Sequence, residues 1–181
     1  MEPIKGFEEV SAEEREFKHI TPGAYLCAIV NAEYTPLNAE GKGNYLTLEL
    51  EFSDGDLLNY CRDTYERAGF WPLAVSVSAK ESVAWKFKQF TNAVESANEG
   101  YKWNWDESTL PGKDVHILIN MEEYEKNNGD VGERVDRWNC EFLTVEQFEK
   151  NTKKGKLKKL QNKPVEAKDS FEAAISENPF A

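Results

Sequence analysis

Histidine is nearly missing from this chain: two occur in 181 residues, His19 and His116. A Ser-His-Asp or Cys-His arrangement would have to recruit one of them, and no G-x-S-x-G nucleophile elbow accompanies either. His19 stands before a turn in an acidic stretch, and His116 lies in the run KDVHILINM, where it reads as a sheet-face residue. The phosphate cradles G-x-x-x-x-G-K-[ST] and G-x-G-x-x-G are absent; Gly41-Lys42-Gly43-Asn44 reads as a loop. Cys27, Cys61 and Cys140 are far apart and form no C-x-x-C pair, which argues against zinc ribbons and thioredoxin-like sites. They read as buried free thiols in a reducing cytoplasm. There is no run of about 18 apolar residues, so no membrane span is expected. The opening MEPIKGFEEVSAEEREFKHI lacks the apolar core of a secretory signal. These absences point to a cytoplasmic protein with no catalytic centre, cofactor or metal.

Charge is abundant, and its distribution is uneven. The net charge is −11, but Thr21–Glu149 alone carries −12, and Lys150–Lys163 carries +7. An acidic body argues against broad, charge-driven nucleic-acid binding unless basic groups cluster locally. The chain divides into an acidic lead-in (1–20), a globular domain (21–149), and a lysine-rich linker with a flexible acidic tail (150–181).

Periodicity supplies the elements of the domain. Ala24–Tyr34 is apolar enough at its start for a strand covered on both faces. In Tyr45–Phe52, Leu46, Leu48, Leu50 and Phe52 point one way, and Tyr45, Thr47, Glu49 and Glu51 the other. Asp54-Gly55 reads as a hairpin turn, with Leu57–Tyr65 as the returning strand. Val83, Phe87, Phe90, Val94 and Ala97 share one face of a long helix, with Ser78 and Glu81 at capping-box spacing before it. Strands over Asp114–Met121 and Glu133–Val145 follow, separated by an exposed tip, with a short helix at Glu146–Asn151. Three strands, a helix and two strands make a mainly β fold. The order fits a five-stranded, OB-fold-like antiparallel barrel with one helix between strands three and four. A plain sheet packed on one helix gives the same order; the barrel is the expectation.

Single-strand binding combines cationic groups with rings on which bases stack. On an OB-like barrel the expected surface holds Lys42, Tyr45, Tyr60, Arg62, Tyr65 and Arg67, with Arg134, Arg137 and Trp138 from the second hairpin. Tyr60, Arg62 and Thr64 share a strand face by parity, and Trp85 lies out of phase with the helix's apolar stripe. The acidic set Glu49, Glu51, Asp54 and Asp56 has the composition of a Mg²⁺ nuclease cluster. Strand parity and a hairpin glycine account for it as a solvated face.

The runs NYLTLELEF, WKFKQFTNAVESANEG and LPGKDVHILINMEEY resemble small proteins of phage and prophage replication and recombination modules from Gram-positive hosts. The resemblance spans about Thr21 to Phe148 and implies an OB-fold-like protein that binds single-stranded DNA; it carries no site residue with it. The end is similar to the acidic tip of bacterial single-strand-binding proteins, which docks replication or recombination partners. Glu177, Pro179 and Phe180 echo that tip, whereas Asn178 and the final Ala181 depart from it. The expected function is non-catalytic binding of single-stranded DNA in replication or recombination. The alternative is an acidic protein-interaction module, an inhibitor, adaptor or DNA mimic.

Overall fold

The computed structural model describes residues 18–150 and 153–161, together with Glu2, Pro3, Lys5 and Glu8. The acidic tip with Glu177, Pro179 and Phe180, and most of the lead-in, lie outside the described residues. The architecture is mainly β, built on a curled five-stranded antiparallel sheet that forms a half-barrel. Its strands are β1 (Gly23–Thr35), β2 (Tyr45–Phe52), β3 (Ala74–Ser78), β4 (Asp114–Ile119) and β7 (Glu141–Leu143), in the order β3-β2-β1-β4-β7. A three-stranded sheet joins β5 (Met121–Glu125), β6 (Val131–Val135) and β8 (Leu157–Lys158), with β5 central. The helices are α1 (Tyr60–Ala68), α2 (Ala84–Ala97) and α3 (Val145–Lys150).

The alternation of β2 sets the inside of the half-barrel. Leu46, Leu48, Leu50 and Phe52 are at most 2 % exposed, and each such side chain contributes about 1.5–3 kcal/mol of burial. The thirteen-residue β1 curls the sheet. Its first half pairs with β4 and its second with β2, and the register to β2 shifts between Ile29 and Asn31. A bulge of this kind bends the strand and increases its twist. Val30 beside it is 42 % exposed, so β1 is covered on both faces only over part of its length.

α2 packs its buried Phe90, Ala93 and Val94 against the core, with Phe90 edge-on to Phe142 at 5.0 Å. The helix begins at Ala84, after a 3₁₀ turn over Glu81–Val83, and Ser78 Oγ accepts from the Lys80 amide. No side chain caps it, so the expected capping box does not form.

Three further expectations are corrected. The segment Leu57–Tyr65 is not a strand: a 3₁₀ turn over Gly55–Leu57 leads into α1. The third strand is β3, in which Val75 and Val77 alternate into the core behind Gly69 and Pro72. α2 does lie between the third and fourth strands of this sheet, but it is not the one helix, because α1 already separates β2 from β3. The run Glu133–Val145 likewise splits, with β6 in the small sheet and β7 in the large one.

α1 owes its start to a distant side chain. Asn59 at its N-terminus is left-handed (φ 61°) and makes no side-chain cap. The carboxylate of Glu51 accepts from the backbone N–H groups of Cys61 (3.0 Å) and Arg62 (2.7 Å), as well as Phe52 (2.9 Å). Glu51 is 6 % exposed, so it is a buried cap and not part of a solvated face. The negative charge also meets the positive end of the helix dipole.

The lysine-rich segment returns to the domain. β8 pairs in parallel with Met121 and Glu122, and Met121 N donates to the Lys156 carbonyl at 2.8 Å. Gly155 sits so close to the backbone of Pro22, Gly23 and Ile119 that a side-chain carbon there would collide with all three.

Two outcomes follow from this packing. Glu51→Ala leaves the buried Cys61 amide and the part-buried Arg62 amide without an acceptor and costs about 2–3 kcal/mol in urea unfolding. Glu51→Gln, which keeps a carbonyl oxygen, costs less. The second outcome concerns His116, which packs against Phe148 with ring centroids 4.2 Å apart and Nδ1 unpartnered among the described residues. Burial pushes its pKa below the ordinary value, against a smaller upward pull from Asp114, Asp54 and Glu149. As pH falls below about 6.5 the unfolded chain takes the proton first, so stability declines toward the folded-state pKa. Urea midpoints at about pH 7.5 and about pH 5.5 should differ less in His116→Gln than in the parent.

Candidate nucleic-acid interface

The outer face of β2 and β3 is short-chain and polar at its centre, where Thr47 and Ser76 stand opposite each other in register. Arg137, ninety residues from Thr47, lies across both. Its Nε donates to Ser76 Oγ at 2.6 Å and its Nη2 to Thr47 Oγ1 at 3.0 Å. The Arg137 carbonyl accepts from the Ser76 amide at 2.8 Å, so backbone and side chain both hold the segment to the edge of β3. Nη1 keeps no protein partner among the described residues.

The next residue carries the ring. Trp138 meets Tyr45, the first residue of β2, edge-to-face at 5.0 Å and 82°. Trp138 remains 45 % exposed. The turn that presents it is tied down at both ends. Asn139 Nδ2 donates to the Asp136 carboxylate at 3.0 and 3.1 Å, and Asn120 Nδ2 donates to the Asn139 carbonyl at 2.6 Å. Beside Trp138 a groove of about 240 Å³ runs toward α2, lined by Ser78, Trp85, Lys86 and Gln89 among others. Trp85 is 63 % exposed. The face therefore offers rings, a guanidinium and an ammonium on rigid elements, a set suited to stacking planar groups and meeting an anion.

The sequence-derived site residues divide into three groups. Tyr45, Arg137 and Trp138 come together, and Lys42 stands in the loop before Tyr45, exposed and paired with Glu40 at 3.2 Å. Tyr60, Arg62, Tyr65 and Arg67 are on α1, not on a strand face. That helix is capped by Glu51, at the far end of β2, about 20 Å of strand away from Tyr45. Tyr60 packs on Phe52, Tyr65 on Trp71, while Arg62 and Arg67 are exposed. Arg134 belongs to β6, where it pairs with Glu122 at 2.8 Å and lies over the Tyr124 ring. Thr47 and Ser76, which orient Arg137, were not legible as site residues, because β3 was not placed. Acidic groups share the face: Glu33 is the register partner of Thr47, and Glu49 lies two residues along β2.

Of the acidic set Glu49, Glu51, Asp54 and Asp56, Glu51 is taken up by α1. Among the described residues no three His, Cys, Asp or Glu are grouped to hold a metal ion. No helix among them is long and apolar enough to cross a membrane. No protein-family model matches the chain, and no curated protein matches it.

Cys27 and Cys61 are buried, and Cys140 is half-buried. Burial raises the pKa of all three, pushing Cys140 up to about 12, with Glu51 adding to the effect at Cys61. Thiolate is the reacting form, so a disulfide reagent at about pH 8 should modify none of the three in the folded protein. It should modify all three in denaturant; a fast-reacting native thiol would contradict the burial described.

Proposed function

We propose that this protein binds single-stranded DNA through the outer face of β2 and β3, without catalysis. The fold is taken as an OB-like barrel opened along one edge. The role is in the replication or recombination of a phage or prophage, as the family resemblance implies. The observation that carries the reading is the junction of Tyr45, Trp138 and Arg137. Two rings and a free guanidinium edge stand on the strands and beside the loops where an OB-like barrel takes single strands. A base stacks on Trp138 or Tyr45, and Arg137 and Lys86 meet the adjoining phosphates.

Charge shapes the expected behaviour. Glu33 and Glu49 lie close to Arg137, so few phosphates are neutralised and stacking supplies most of the affinity. Salt dependence should therefore be shallow, about −0.7 in the log–log slope for each neutralised phosphate. A second reading draws on the same acidity: with a body charge of −12, the domain is an interaction module for a basic protein.

Tryptophan fluorescence during titration with oligo-dT, repeated across salt concentrations, separates the two. Saturable quenching is expected. Trp138→Ala should weaken affinity about tenfold or more, and Arg137→Ala should flatten the salt slope by about 0.7. Arg62→Ala with Arg67→Ala, at the far end of β2, should change neither. Unchanged fluorescence at low salt would overturn the DNA reading in favour of the interaction module.

A further inference from the structure

Two residues along α2 from Trp85, Phe87 lines a second cleft of about 230 Å³, together with Tyr34, Trp103, Trp105 and Glu107. Phe87 and Trp105 lie parallel, at 5.7 Å and 4°, and Trp103 is inclined to both at 5.9 and 6.0 Å. Trp105 is 77 % exposed, a large ring left in solvent. Its backbone is left-handed (φ 64°), where a bulky side chain is disfavoured. Asn44 on the same rim is left-handed as well (φ 63°). Asn44 accepts from Tyr34 Oη at 2.9 Å and donates to the Ala79 carbonyl at 3.3 Å, which clamps that side of the cleft. Two of the three non-glycine residues with positive φ among the described residues thus line one cavity, and such conformations gather at binding sites.

The lining specifies an occupant. Glu107 is the one charged side chain lining it among the described residues, and it makes no ion pair among them. Aromatic faces beside an unpaired carboxylate attract a cation, and a planar guanidinium stacks on them as well. A phosphate would be repelled by the same carboxylate. We propose that this cleft binds an extended, arginine-bearing peptide segment of a partner protein. The guanidinium lies against the rings of Trp105 and Tyr34, and Glu107 supplies the counter-charge. This site is separate from the β2–β3 face and stands whether or not that face binds DNA.

The indole N–H signals of the ¹⁵N-labelled protein, assigned by tryptophan-to-phenylalanine variants, report on each face separately. The probe is a synthetic peptide alternating proline and arginine, with a control carrying glutamate in place of arginine. At millimolar peptide the Trp103 and Trp105 signals should move with the arginine peptide alone. Glu107→Gln should weaken that response about tenfold. Trp105→Gly, which suits the left-handed backbone, should keep the fold and the melting temperature but abolish the response. Unmoved Trp103 and Trp105 signals, an equal response to the glutamate control, or a stronger response to oligo-dT would each overturn the proposal. Shifts of Trp85 and Trp138 with oligo-dT report the DNA reading, so either idea can fail alone.

Discussion

The chain leading from β6 into β7 must meet the free edge of β3, and at one residue it does. Arg137 accepts a backbone hydrogen bond from Ser76 and lays its side chain over Ser76 and Thr47. An unpaired strand edge is a hazard, because its free N–H and C=O groups template further pairing. Here a single crossing protects β3, draws the half-barrel toward closure and sets Trp138 against Tyr45. Closure of the fold and assembly of the candidate surface are thus the same event. The asparagine-rich turn behind it, with Asp136, Asn139 and Asn120 bonded to one another, keeps that event reproducible.

How much of this was legible depends on how far the deciding contacts lie in sequence. β2 and most of α2 announced themselves, because one-sided burial writes a local period into the residues; β4 is buried on both faces, and the strand expected over Asp114–Met121 ends at Ile119, with Met121 in β5. α1 did not. Tyr60, Thr64 and Tyr65 are residues of strand preference, and the helix they form is held by Glu51, about ten residues away on another element. β3 alternates through Val75 and Val77, but in only five residues next to a proline and a glycine, too short to stand out. The candidate site shows the same division. Tyr45, Arg137 and Trp138 were visible as residue types, whereas their convergence rests on Thr47 and Ser76, separated from Arg137 by ninety and sixty-one residues.

The two aromatic surfaces differ in the charged side chains around them. One combines rings with Arg137 and Lys86 among the carboxylates of Glu33, Glu49 and Glu141, the other with Glu107. They flank α2, with Trp85 facing one groove and Phe87 the other. On the two proposals made above, the first surface takes an anionic chain more by stacking than by charge, and the second takes a cationic segment.

The buried carboxylate of Glu51 also ties strand to helix. Side chains in a strand alternate with a period of two, so a one-residue slip of β2 would turn its leucines outward and Glu51 to the opposite face. Glu51 reaches amides only ten and eleven residues further along the chain, and the helix they begin packs on the strand that carries it. Strand and helix are therefore one local unit, joined by a short loop closure whose entropic cost is small.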